Sequence, residues 1–206
     1  LFDKDSSTPL WSYTTGDYVE SVAISADGEY IVVAAGPTYL FNKDSSTPLW
    51  SSSGGNAVSI SANGEYIVVG SNAKVYLFDK DSSTPLWTYS TGGSASFAID
   101  ISADGEYIVA STHWTTSSTN HKIMLFSKNS NTPIWTYVTD VSTHSVKISA
   151  DGKYIVAGTG TDKNVYLFEM FVCMRVCVCI IVMWYYVIRN NYRCLKCCYG
   201  NISNLY

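Results

Sequence analysis

An all-β fold of repeated four-stranded sheets is what this 206-residue chain predicts, on three observations. A segment reading L-F-x-K-x-S-x-T-P-[LI]-W returns from Leu1, Leu40, Leu77 and Leu125, and a fifth copy opens at Leu167 and stops after Phe168. A second block, I-S-A-[DN]-G-[EK]-Y-I-V, alternates with it from Ile24, Ile60, Ile101 and Ile148. The segments between turn residues are short and rich in β-branched and aromatic side chains, as strands are. Self-similarity at about 40 residues with four strands per period predicts a β-propeller, in which each small sheet hides its apolar faces against its neighbours.

The repeat around residue 100 shows how each element is read. Phe97, Ile99 and Ile101 alternate with Ala98 and Asp100, the period of two expected of a first strand. Ala103-Asp104-Gly105 follows as a hairpin turn, because glycine accepts positive φ at little cost. Gly28, Gly64 and Gly152 stand at the same place in the other copies. Residues 107–110 form the second strand and residues 123–126 the third. Lys128 to Pro133 reverses the chain, since proline cannot continue a central ladder. Residues 134–137 are the fourth strand.

In this phase the chain opens with third and fourth strands over residues 1–15. It then holds three whole blades and ends on a first, a second and a cut-off third strand over residues 145–168. Completing one blade from both ends would give four sheets, and the reading preferred here is a slice of a larger ring. The chain starts at Leu1 in mid-repeat and is expected to be a piece of something longer, so a leader peptide lies outside what the sequence addresses.

Charge divides the chain after Glu169. Residues 1–169 carry nine Lys and no Arg against all seventeen acids, a net of −8, whereas residues 170–206 carry three Arg, one Lys and no acid. An acidic repeat region without arginine is a poor match for phosphate, so nucleic-acid binding is excluded as a leading function. All six cysteines fall between Cys173 and Cys198, leaving the repeats without a disulfide framework.

Trp11, Trp50, Trp87 and Trp135 hold one equivalent position on the fourth strand. Identical residues in every repeat read as packing between blades rather than as a ring for a flat ligand. The first strand's channel-facing position varies instead, through Ala23, Ser59, Asp100 and Lys147. Asp100 and Lys147 are expected to pair with each other, the usual way to bury charge, and they also form a candidate contact surface. Acids at i and i+2 in the turns, Asp3/Asp5 and Asp79/Asp81, resemble the start of a calcium loop, but the sixth-position Gly and the closing Glu are missing. They read as side chains that cap their own turns.

The run from Ser111 to His121 is the one long insertion between second and third strands, and it carries His113, Trp114 and His121. Insertions in repeat proteins gather on one face, frequently the binding face, so these three residues join the candidate contact surface. No ligand spacing in the sequence assigns a metal, a cofactor or a catalytic residue.

Residues 22–32, V-A-I-S-A-D-G-E-Y-I-V, resemble the opening of blades in the WD40 family. Residues 75–89, from Val75-Tyr76-Leu77-Phe78 to the aromatic strand Trp87-Thr88-Tyr89, resemble pyrroloquinoline-quinone-like (PQQ-like) propeller repeats. Both resemblances imply a propeller over residues 1–169. The Gly-His and Trp-Asp pairs of WD40 blades are missing, and Ser-Thr-Pro replaces the Thr-Gly turn of the quinone-like family. The first resemblance implies a non-catalytic module that binds or scaffolds a protein or other macromolecular ligand, expected in a secreted or surface protein. The second implies a quinone-dependent dehydrogenase, which needs a cationic quinone partner and commonly a vicinal cysteine pair. The repeats have neither Arg nor Cys.

Two readings of residues 170–206 stay open. Residues 170–188 carry one charge, Arg175, and as a helix would span about 28 Å, close to a hydrocarbon core. With Arg189, Arg193 and Lys196 following, such a helix would anchor the propeller outside and leave the C-terminus in the cytoplasm. The abrupt change in residue usage, with no linker, is equally what a shifted reading frame would produce.

Overall fold

The computed structural model describes residues 5–92, 95–114, 121–172 and 178–183. Among them there is no helix; the regular structure is sixteen strands in four antiparallel four-stranded sheets. Blade 1 is β1 (Ser21–Ile24), β2 (Tyr30–Ala34), β3 (Thr38–Asn42) and β4 (Trp50–Ser52). Blade 2 is β5 (Ala57–Ile60), β6 (Tyr66–Ser71), β7 (Lys74–Asp79) and β8 (Trp87–Ser90). Blade 3 comprises β9 (Ala95–Ile101), β10 (Tyr107–Trp114), β11 (Lys122–Ser127) and β12 (Trp135–Val138). Blade 4 comprises β13 (Thr143–Ile148), β14 (Tyr154–Thr159), β15 (Val165–Val172) and β16 (Val178–Met183). In each sheet the strands lie in sequence order. The register repeats as well: Leu40 faces Trp50, Leu77 faces Trp87 and Leu125 faces Trp135.

Each first hairpin is tied by its own serine. Ser102 Oγ donates to Asp104 Oδ1 at 2.6 Å and accepts from Tyr107 N at 3.0 Å, while Glu106 N donates to the same carboxylate oxygen. Gly105 takes φ +75°, which lets its N–H reach Ser102 O. Ser25/Asp27, Ser61/Asn63 and Ser149/Asp151 repeat the arrangement. The Ser149 hydroxyl and the Lys153 N–H hold Asp151 down to about 2, and the Ser25 hydroxyl with the Glu29 N–H lowers Asp27. At Asp104 burial opposes ionisation, but the Ser102 hydroxyl and the Glu106 N–H outweigh it and the carboxyl is again lowered.

A depressed carboxylate contributes stability that is present above its unfolded value of 3.8 and disappears as pH falls through the folded value. The Asp151 turn should therefore weaken between pH 3.8 and about 2. Asp151→Asn should keep the turn, because Asn63 already fills that role in blade 2, where its Oδ1 accepts from Ser61 and Glu65. Comparing urea midpoints at about pH 5 and about pH 2.5 should show a smaller acid loss in the variant than in the parent chain.

The core lies between blades. Val32 and Leu40 of blade 1 pack with Ile67 and Phe78 of blade 2. Val68 and Leu77 of blade 2 pack with Ile108 and Phe126 of blade 3. Val109 and Leu125 of blade 3 pack with Ile155 and Phe168 of blade 4. Three further contacts recur at these junctions. Backbone bonds run from Ala26 N to Ala62 O, Ala62 N to Ala103 O and Ala103 N to Ala150 O, at 2.9 to 3.0 Å. The ring of Tyr30, Tyr66 or Tyr107 lies over the turn glycine of the next blade. A Cβ added at Gly152 would fall 2.7 Å from Tyr107, and at Gly64 and Gly105 closer still to Tyr30 and Tyr66. Trp50 and Trp87 donate Nε1 to Lys80 O and Lys128 O of the next blade and lie 5.5 Å from Phe78 and Phe126.

Differences from the sequence reading fall at the two ends and at the insertion. Residues 1–4 lie outside the described residues, and residues 10–13 form no strand. Trp11 nonetheless occupies the place of a preceding blade's tryptophan, 5.3 Å from Phe41 with Nε1 2.7 Å from Lys43 O. At the other end, the helix that one of the two readings of residues 170–188 implies is not what the described part adopts: β15 runs to Val172, and β16 pairs with it so that Leu167 faces Met183. Val178, Ile180, Ile181 and Val182 are strand formers, and the open edge of β15 offers backbone groups that a neighbouring strand satisfies. Among the described residues no helix is long and apolar enough to cross a membrane. Residues 173–177 and 184–206, with Cys194, Cys197 and Cys198, lie outside the description.

Candidate functional site

The four first strands lie side by side in the order β1, β5, β9, β13, and this places Ala23, Ser59, Asp100 and Lys147 on adjacent blades. Asp100 is buried and joins three of them. Its Oδ1 accepts from Ser59 Oγ of blade 2 at 2.9 Å and lies 3.4 Å from Lys147 Nζ of blade 4. Its Oδ2 accepts from Ile148 N at 3.0 Å. The Lys147 ammonium is largely exposed, so it stands as a fixed cation at the solvent edge of the channel strands.

The partners of Asp100 differ in worth. An exposed ion pair contributes about 0–1 kcal/mol, whereas a buried N–H or hydroxyl left without its acceptor costs about 1–3 kcal/mol. Asp100→Ala should therefore destabilise the chain by about 2 kcal/mol and Lys147→Met by less than about 1 kcal/mol. A chemical-denaturation cycle of the two single variants and the double variant reads both numbers, and equal costs for the singles would contradict this ranking.

The remaining predicted contact residues are not brought to Asp100. Strand β10 continues through His113 and Trp114, which the sequence reading placed in a loop, and Trp114 faces Ala95 across register shifts at Thr112. Thr112 and Trp114 are good strand residues, and Thr112 Oγ1 accepts from Lys122 N at 2.8 Å, which draws the flanking strands together. His121 precedes β11 and is buried. Residues 115–120 lie outside the described residues. Asp100 faces Val109, five residues along β10 from Trp114, so the two groups are separated by about 17 Å along the blade. They mark opposite ends of the sheet, with Asp100 and Lys147 beside the Ser-Ala-Asp-Gly turns.

The paired turn acids engage their own loops. Asp79 Oδ1 accepts from Asp81 N, and Asn42 Oδ1 from Asp44 N, both at 2.9 Å. Asp81 and Asp44 each meet a lysine ammonium, Lys80 and Lys43, at 2.9 Å. Among the described residues no three His, Cys, Asp or Glu side chains group so as to hold a metal. A cavity of about 200 Å³ lies between blades 3 and 4, where Glu106, Tyr107 and Ile134 of one blade and Asp151, Lys153 and Met170 of the other are among the lining residues. Sequence reasoning had no handle on it, because it forms only where two separate repeats meet.

Residues 132–169 match the profile of the WD domain, G-beta repeat. That stretch runs from the turn before β12 through the first three strands of blade 4, one full period in the phase where a fourth strand precedes three others. The fold is a β-propeller array of four-stranded blades, and one period of it matches that repeat. A computationally designed protein, Ika4, itself a propeller, superimposes on it with a TM-score of 0.64 at 15% identity, over 80% of this chain and 99% of the designed one. At that identity the likeness concerns the fold alone. No curated protein matches the sequence. The channel-facing position varies from blade to blade through Ala23, Ser59, Asp100 and Lys147, whereas Tyr30, Tyr66, Tyr107 and Tyr154 and the turn glycines Gly28, Gly64, Gly105 and Gly152 are the same in every blade.

Proposed function

We propose that this WD40-like propeller is a non-catalytic scaffold that binds protein partners. The observation that carries the reading is the match of residues 132–169 to a repeat whose common use is protein interaction, in a chain whose blades repeat that geometry. Rigid blades fix loop residues at low entropic cost, so variable positions at a blade end can be used for recognition without disturbing the core. The Asp100-held ammonium of Lys147 supports a surface that takes a carboxylate-bearing segment, since a cation already ordered by one acid loses little freedom on meeting another. We assign a second, separate surface to the far end of β10, which carries His113 and Trp114.

Selection of a displayed peptide library on the full chain tests the proposal. Enrichment of an acidic peptide family whose binding is lost in Lys147→Glu is the expected result. Failure of any sequence family to enrich over the unselected library would contradict it.

A further inference from the structure

The junction between blades 3 and 4 is built differently from the others, and the difference leaves a donor without an acceptor. Trp11, Trp50 and Trp87 donate Nε1 to the carbonyls of Lys43, Lys80 and Lys128 at 2.7 to 2.8 Å. β3, β7 and β11 end immediately before these lysines, so each accepting carbonyl lies in a turn. Met170 holds the lysine's place in blade 4, and there β15 runs straight on to Val172, with Met170 facing Ile180 of β16. Trp135 keeps the position of the other tryptophans, facing Leu125 and lying 5.1 Å from Phe168. Its Nε1 is nevertheless buried with no acceptor among the described residues. A buried N–H without a partner is costly, so an acceptor brought to it is bound favourably.

The cavity at this junction lies beside that indole. Its lining includes Ile134, the residue before Trp135, and Met170, whose place supplies the acceptor in the other blades. Met170 and Trp135 also belong to one apolar cluster, together with Tyr107. The volume of about 200 Å³ falls below the ~300–1,000 Å³ of clefts that take whole small molecules, and it suits a single side chain. The charged groups of the lining are matched within the fold: Lys153 Nζ lies 3.2 Å from Asp151 Oδ2, and Glu106 pairs with Lys128. An ionic group entering would lose water without gaining a free counter-charge, so the apolar surfaces of Tyr107, Ile134 and Met170 decide what enters.

We propose that this cavity is a peptide pocket that takes one neutral apolar side chain of a protein partner, whose main-chain carbonyl accepts from Trp135 Nε1. The class of ligand follows from the other blades, where the group that satisfies the same N–H is in each case a main-chain carbonyl. The entering side chain lies against Tyr107, Ile134 and Met170, and Met170 is unbranched and adapts its shape at low cost. The site sits inside the array, between two blades that the chain itself supplies, and it needs no strand to move. The inference rests on the reading of the chain as a module that binds protein, but not on the Lys147 surface, which is no part of this lining.

Nuclear magnetic resonance of the indole N–H groups of the full chain tests this, with N-acetyl-leucinamide as the probe and Trp135→Phe showing which signal is that of Trp135. The expected result is a saturable shift of that one signal at millimolar probe, with the other indoles unmoved. N-acetyl-glycinamide has the carbonyls without the side chain and should bind about tenfold more weakly, as should N-acetyl-lysinamide, whose ammonium meets no free acid. Ile134→Ala, at a solvent-exposed position where the variant should fold, should weaken the leucine probe by about tenfold as well. Lys147→Glu should leave the shift unchanged while abolishing any selection of acidic peptides, so the two surfaces hold or fail separately. No shift at Trp135, equal binding of the glycine probe, tighter binding of the lysine probe, or an Ile134→Ala variant that binds as the parent does would each overturn the pocket.

Discussion

Phe126→Ala should destabilise the chain by about 3–5 kcal/mol, the cost of emptying a buried aromatic site that cannot collapse. Phe126 is fully buried in β11 and belongs to the junction between blades 2 and 3 rather than to its own sheet. Trp87 lies 5.5 Å from it, and Tyr89 meets it edge-on at 5.0 Å. Removing the ring takes the partner from two aromatic side chains of the neighbouring blade at once. In a repeat array stability is a sum of blade terms and nearest-neighbour junction terms, so the loss should divide the array at that junction. Equilibrium unfolding in urea should show the midpoint falling and the single transition broadening into two. A loss below about 1 kcal/mol would mean that the blades are stable alone.

The second large effect concerns the turn glycines. Gly105→Ala should cost about 2–4 kcal/mol, combining left-handed backbone strain with overpacking against the Tyr66 ring. Gly105 sits at φ +75°, and an added Cβ would overlap Tyr66 Cδ2. That ring is held in turn by Lys128, whose ammonium lies 5.1 Å from its centroid and which also pairs with Glu106. Gly28→Ala has the same backbone demand, at φ +76°, but no neighbour. It should cost only the backbone share of about 1–2 kcal/mol. Thermal midpoints of the two variants separate strain within a turn from contact between blades. Equal losses would show that the tyrosine exerts no hold on the next blade.

Much of the fold is legible because the period itself carries it. The alternation in Phe97–Ile101, the Asp-Gly turns and the Thr-Pro reversals each specify a strand or its end from neighbours in sequence. The tryptophans are legible for a different reason, since a large apolar group in every copy has to be covered. What the sequence hides is contact between repeats. The glycine in G-[EK]-Y reads fully as a turn residue, yet at three junctions it also makes room for the tyrosine of the blade before. The tyrosine two places later is the only trace of that second duty. Asp100 is similar. Its charge suggests Lys147, but nothing in the sequence points to Ser59 Oγ or to the Ile148 N–H, because both depend on how strands from three blades align.

At the insertion and in the tail, composition and local preference point in different directions. Ser, Thr and His near residue 112 suggest a loop, but Thr112 and Trp114 favour strand and have β9 beside them. The apolar run after Met170 has helical length on paper. Beside an unfilled third-strand edge, its valines and isoleucines take up the ladder instead.

Amide hydrogen exchange tests most directly whether each blade is fastened to the next in one direction. Ala26, Ala62 and Ala103 donate to the following blade, and Ala150 has no following blade among the described residues. The first three amides should be protected to nearly the global unfolding free energy, with Ala150 exchanging orders of magnitude faster, as an unbonded turn amide does. Four amides exchanging at one common rate would contradict the account.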